Sequence, residues 1–400
     1  MRPRSATTTA GWRLADCCGR RPETGKFAWP ISAAKGSGHA ILRVTREAGD
    51  GQAQQREGAM IMIELKNNQL VFSFPDLHED AVCCVDFQRT LRIPDDNREY
   101  PLPPGLGRFP MAQVAEHASR LPVNWAEHGG VLLPMYQAEA LWINSSCEHG
   151  HGTGAGYPFA VKIAAGRINA VTGDAWSGDL VHNPQDYLVI PGQPWLDGFC
   201  VHKGLIRQFV AMPLGHGYTA EEQLSGAAEH GGLQIIVYPM KRDRHEEMLR
   251  RHDVHFAAEM LCCPSDSEDE AAAMGLAPGG LMRQEIHEDE HGYDAWDRSL
   301  SSRCFVHILN SAQWEGATGK TLPGAAPTAS DYTEAGLPWF EYYDDQLGAL
   351  EGAKKLASLD SVATKGGKLG AKPLPENDPV QPARIIHLNP ASTGVSEGNG

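Results

Sequence analysis

The feature that most constrains this chain is the way its apolar residues are grouped, in short β-branched and aromatic blocks stopped by Gly, Pro, Asp or Asn. Such blocks stand at 70–74 (LVFSF), 81–93, 131–144, 186–190 (DYLVI), 233–240 (LQIIVYPM), 282–288 and 303–310 (RCFVHILN). Blocks of this length and composition predict strands. Helical periodicity is scarce. The candidates are "MAQVAEHASRL" (111–121), the charged "KRDRHEEMLRRH" (241–252), and "DQLGALEGAKKLASL" (345–359), in which Leu347, Leu350, Ala353 and Leu356 share one face.

Two segments look like variants of one unit. "PFAVKIAAGRINAVTG" (158–173) and "GFCVHKGLIRQFVAMPLG" (198–215) each run Phe-x-Val, a glycine turn, and a basic residue inside a second strand. Each reads as a β-hairpin, with Gly166 and Gly204 supplying the positive φ of the turn. Hairpins without interleaved helices argue against a doubly wound α/β fold. The expectation is a mainly β protein, α+β at the margins, with an antiparallel β-sandwich-like core, hairpins and few short helices.

With 400 residues, of which 42% are hydrophobic, the chain is long enough to build a substantial core. Residues 1–59 carry eight Arg and two Lys against five acidic residues and show no sustained periodicity. They read as a disordered or non-native N-terminal extension, with 60–360 as one β-rich globular domain. After 360 the composition turns to Lys, Gly, Pro and Ser. A flexible tail is expected at 361–400, with a docked strand at 383–388. The loops at 93–110, 191–198 and 336–345 are rich in Pro and aromatics and read as covers over sheet edges.

A net charge of -15 argues against a nucleic-acid binder, which needs clustered Lys and Arg. No apolar run reaches the ~18 residues of a membrane span. The nine cysteines follow no disulfide spacing and read as reduced thiols, so a soluble, cytoplasmic protein is expected, with neither nucleic acid nor membrane as partner.

The chemical motifs fall short on inspection. "GATGKT" (316–321) ends like a phosphate loop, but Trp314 stands where the motif requires its first glycine, and Pro323 breaks the helix that should follow. Among the seventeen histidines, Cys147, His149 and His151, then His252, His255 and Glu259, and finally His287 and His291 have ligand-like spacings in unsuitable contexts. No metal site and no cofactor are expected, and no Gly-x-Ser-x-Gly elbow is present.

What remains is a neighbourhood. Gly215-His216-Gly217 follows a strand and precedes Thr219-Ala220-Glu221-Glu222, which has capping-box spacing. Strand, glycine turn, helix start is the order of many phosphate sites, but no Lys is placed to help. If 195–197 lie at the entry of the second hairpin and 215–222 at its exit, Trp195, Asp197, Arg207, Gln208, His216, Tyr218 and Glu222 share a sheet edge. An aromatic platform with a carboxylate and an Arg suits a sugar or small anion. This favours a binding or interaction module for a small molecule or a protein. The alternative is a hydrolase-like enzyme using Asp197, His216 and Glu222 as acid and base.

"PGQPWLDG" (191–198), together with "RQFVAMPLGHGYTAEEQ" (207–223), "HGGLQIIVYPM" and "GLPWFEYYDD", resembles a family of uncharacterised proteins of bacteria and fungi. The resemblance covers roughly residues 62–360 and implies no activity and no site residues. It implies that residues 1–59 lie outside the shared domain.

Overall fold

The computed structural model describes residues 61–147, 156–251, 273–322, 324–342 and 347–388; the expected extension at 1–59 and the ligand-like spacings at 149–151 and 252–259 lie outside them. The protein is mainly β, and most of its strands fall into two sheets. The larger runs in the order Met62–Lys66, Gln69–Ser73, Val82–Thr90, Ala140–Cys147, Leu205–Pro213, Met274–Arg283, Glu99–Tyr100. Short strands Gly105–Arg108, Trp195–Leu196 and Gly198–His202 pair with members of this path. The smaller runs Ile168–Asn169, Phe159–Ala165, Leu233–Pro239, Ser302–Leu309, Val131–Pro134, Ala112–Gln113, with Leu188–Ile190 on Phe159–Ala165.

Both hairpins form, one in each sheet. Ile168 pairs with Ala165 across Gly166, and His202 pairs with Leu205 across Gly204. The two glycines have φ of 58° and 70°, conformations that a side chain resists. Gly166 has a second reason to lack a side chain: a Cβ there would sit 2.4 Å from Oε2 of Glu221.

The two sheets contribute to one continuous core. Val85, Phe87 and Ile143 of the larger sheet and Val161, Ile235 and Val306 of the smaller belong to the same buried cluster. Every residue of Phe159–Ala165 and of Leu233–Pro239 is buried, because both faces of these strands are covered. The chain builds the centre of this sandwich by alternation. Leu205–Pro213 lies in the larger sheet, Leu233–Pro239 in the smaller, Met274–Arg283 in the larger and Ser302–Leu309 in the smaller.

Several elements differ from the sequence reading. The block 131–144 is two strands in different sheets, separated by a turn at Met135–Glu139 in which Ala138 has φ 66°. The buried Arg89–Glu139 ion pair, at 2.7 Å, ties that turn to the larger sheet. The strand expected at 282–288 instead spans Met274–Arg283 and includes Pro278-Gly279-Gly280. Its register shifts opposite Arg207 and Phe209, and a Cβ at Gly280 would lie 2.3 Å from the carbonyl oxygen of Pro94. Gly280 admits the segment at Ile93 and Pro94, and Gly279 admits Val210 of the neighbouring strand.

The helix expected over 345–359 shrinks to Lys354–Ala357. Gly352 has φ 76° and lies against the backbone of His202, which interrupts the helical pattern. The 111–121 segment holds only a helical turn, Val114–His117, and a 3-10 turn, whereas Arg242–Arg251 is a helix. The segment after 360 carries more structure than its composition suggests. Helix Val362–Lys368 is capped by Ser361, Val362 is buried, and Ile385–Leu388 pairs in parallel with Trp339–Tyr342.

Candidate functional site

The glycine turn at 215–217 does hold an anion, and the anion is the protein's own. Gly215 N–H and Gly217 N–H each donate to Oε1 of Glu222 at 2.8 Å. Thr219 N–H and its hydroxyl donate to Oε2 at 3.1 and 2.8 Å, completing a capping box on helix Ala220–Ser225. Backbone N–H groups gathered in this way form an anion nest, and here Glu222 fills it. His216 is exposed on the outside of the turn.

Asp197 is elsewhere. Its carbonyl accepts from Phe209 N–H at 2.9 Å, midway along the second hairpin strand. From Phe209 to the strand end at Pro213 is about 13 Å at ~3.3 Å per residue, with Leu214 and Gly215 still to come before His216. The trio Asp197, His216 and Glu222 therefore does not assemble. Asp197 is buried, and its side-chain contact is with Gln284, whose Nε2 donates to Oδ2 at 2.7 Å. Burial without a cation pushes its carboxyl up to about 7, against the opposing pull of the Gln284 hydrogen bond.

The other sequence-selected residues hold the fold together. Gln208 accepts from Ile93 N–H at 3.0 Å and donates to the Leu91 carbonyl at 2.8 Å, pinning the 91–93 stretch to the sheet. Arg207 donates to the Gly279 carbonyl at 3.1 Å and faces Asp95 at 3.9 Å; burial lowers its pKa while Asp95 opposes. Tyr218 packs beside Val210, Met212 and Val362. Trp195 is half-buried and meets Trp142 and Tyr342 edge-on, with centroids 6.2 and 4.8 Å apart. The seven residues are divided between strands, a turn and a helix, and none lines either of the two pockets described next. "GATGKT" is no phosphate loop either: Gly319 is the left-handed cap that ends helix Ser311–Thr318.

Elsewhere the described residues form a cleft of about 770 Å³. One wall is the excursion 171–185 that leaves the first hairpin, another is Glu288–Asp289, and the third is the stretch 350–355. The sequence builds these walls with buried polar groups. Asn169 Oδ1 accepts from Val171 and Thr172 N–H at 2.9 and 3.0 Å, turning the chain outward. Lys162, 1% exposed, extends beneath the excursion to Asp186 at 2.6 Å and Ser177 at 3.0 Å. Burial raises the Asp186 carboxyl even so, the Lys162 contacts opposing it. Asp289 accepts from the Tyr187 hydroxyl at 2.6 Å and Trp296 Nε1 at 2.8 Å, which fixes the second wall. Lys355 closes on Asp174 at 2.5 Å, and His182 stacks on Tyr293 with centroids 5.7 Å apart.

A second pocket, of about 190 Å³, lies between helix Val123–His128, the 229–234 stretch and strand Ser302–Leu309. Its rings stack in near-parallel pairs: Trp125 on His307 at 4.6 Å and 23°, His128 on Phe305 at 4.9 Å and 17°. Glu221, buried beside the filled nest, accepts from Gly231 N–H at 3.0 Å and faces Nδ1 of His230 at 3.2 Å. His307 Nε2 lies 3.0 Å from the Gly129 carbonyl. Burial brings the His307 pKa down to about 4, the Gly129 bond opposing and His128 adding, so the ring is neutral at pH 7.

None of the residues lining these two cavities was selected as a site from sequence. The cleft left no motif, because its parts come from three distant loops. The small pocket left one: Ala-Glu-His-Gly-Gly occurs at 126–130 and again at 228–232. Among the described residues no group of three or more His, Cys, Asp or Glu side chains could hold a metal ion. No helix among them is long and apolar enough to cross a membrane.

Comparison of the chain with models of protein families, with curated proteins and with solved structures finds no match.

Proposed function

We propose that this protein is a ligand-binding module and that its principal small-molecule site is the cleft bounded by 171–185, 288–289 and 350–355. The observation that carries this is the size of the cleft, about 770 Å³, within the ~300–1,000 Å³ typical of ligand sites. Its rim carries charges of both signs, Lys354 and Lys355 against Glu288 and Glu351, which favours a polar or zwitterionic ligand. The buried Lys162–Asp186 pair and the Asp289 hydrogen bonds support walls formed before the ligand arrives, which lowers the ordering cost of binding. The hydrolase-like alternative loses its support with the separation of Asp197 from His216 and the engagement of Glu222 by the nest.

A thermal-shift screen of small polar metabolites against the full chain tests the proposal. Compounds that raise Tm for the parent and not for a Lys354→Ala/Glu288→Ala double variant are expected. Hits that stabilise both proteins equally, or a screen without hits, would reject the cleft as the site.

A further inference from the structure

The two copies of Ala-Glu-His-Gly-Gly lead into strands on opposite sides of Ser302–Leu309. Val131 pairs with Val306 in parallel register, and Leu233 pairs with the same Val306 in antiparallel register. All four glycines have positive φ: 64° and 87° at Gly129 and Gly130, 54° and 60° at Gly231 and Gly232. A Cβ at Gly130 would lie 2.0 Å from the Phe305 carbonyl oxygen, and one at Gly232 would lie 2.3 Å from that of Val306. One glycine of each pair, Gly130 and Gly232, therefore lies against the backbone of one strand, and the histidines before the pairs, His128 and His230, line one pocket.

The hydrogen bonds fix what the pocket offers. A carbonyl only accepts, so His307 carries its hydrogen on Nε2, toward Gly129, and keeps a lone pair on Nδ1. His230 directs Nδ1 at Glu221, 3.2 Å away, so Nε2 is the ring nitrogen left for a ligand. Gln234 donates its Nε2 to the Gly166 carbonyl at 2.8 Å, leaving Oε1 to accept. The lining also includes the exposed carboxylate of Glu229 and the rings of Trp125 and Phe305 and, among the described residues, neither Lys nor Arg. The site is rich in acceptors, negatively charged and aromatic.

We propose that this pocket binds a small organic cation with N–H donors, a guanidinium or primary ammonium group on a short stem. Acceptors and a carboxylate satisfy the donors, and aromatic faces attract the charge. About 190 Å³ is the volume of roughly six waters at ~30 Å³ each, enough for such a head group and little more. The proposal stands independently of the cleft, since no lining residue is shared.

Calorimetric titration of the full chain with propylguanidine, n-propylamine, acetate and zinc chloride tests it. Saturable binding of the two cations and none of acetate is expected, weakened about tenfold in His230→Ala and about threefold in Glu229→Gln. Lys354→Ala, in the large cleft, leaves that affinity unchanged. Glu229 is exposed, so its substitution remains informative should His230→Ala fail to fold. Failure of both cations to saturate, equal affinity in the Glu229→Gln variant and the parent, or one-to-one zinc binding in their place would overturn the proposal. So would acetylarginine amide binding more than tenfold tighter than propylguanidine, since the occupant would then be a polypeptide side chain.

Discussion

Asp197 and Glu222 come from the two ends of one hairpin, and their surroundings treat them in opposite ways. Glu222 is only half-buried and receives four hydrogen bonds from Gly215, Gly217 and Thr219. Asp197 is buried and meets, among the described residues, one amide donor and no cation. Spacing along a chain tells how far apart two carboxylates start; the donors the fold brings to each decide whether it stabilises the protein as an anion. Glu222 is a structural acceptor, and Asp197 is an acid whose proton the fold holds up to about pH 7.

Changing Asp197 gives the largest way to break this contrast. In the unfolded chain its carboxyl ionises near pH 4, whereas in the folded protein it holds its proton to about pH 7. Between those values the folded state binds the extra proton, so stability falls as pH rises from ~4 through ~7 and stays low above that. The difference amounts to about 4 kcal/mol. Asp197→Asn, neutral at every pH, is expected to exceed the parent by up to that amount at pH 8 and to match it near pH 4. Urea unfolding at both pH values measures this; equal gains at pH 4 and pH 8 would mean that ionisation is not the cause.

Glu222→Ala tests the other side. Loss of the nest anion and the capping box should cost about 2 kcal/mol at pH 7, read as a lower urea midpoint with an unchanged m-value. Gly215→Ala isolates the backbone share of the same turn. Its φ is 90° and nothing lies within 4 Å of the added methyl, so the cost is conformational, about 1 kcal/mol. Smallest is His216→Ala: the side chain is exposed, and the change in stability should stay within about 0.5 kcal/mol. A larger loss there would show that the turn relies on more than Glu222.

The strands and both hairpin turns were legible in the sequence because β-branched blocks and turn glycines act locally, within a few residues of where they stand. Met274–Arg283 was not, since Pro278-Gly279-Gly280 looks like a breaker until the chain at Pro94 is present to require it. The reduced helix at 354–357 failed for the same reason: Gly352 answers to the His202 backbone, far away in sequence. The capping box at Thr219 was readable from spacing alone. That its Glu222 would also close the glycine turn was not, because spacing does not say which donors a carboxylate meets. The histidine pocket had a visible mark in its repeated pentapeptide, but what makes the two copies meet is their pairing with Val306.

The alternation of Leu205–Pro213, Leu233–Pro239, Met274–Arg283 and Ser302–Leu309 between the two sheets also sets a timetable. Partners that lie far apart in sequence make folding slow, because a long loop must close before any contact rewards it. On the ribosome the edge of Leu233–Pro239 has no partner at Ser302–Leu309 until most of the chain has emerged, and unpaired edges invite aggregation. Fragments ending between these strands should therefore collect as insoluble material, and neither sheet should be obtainable as a separately folding piece.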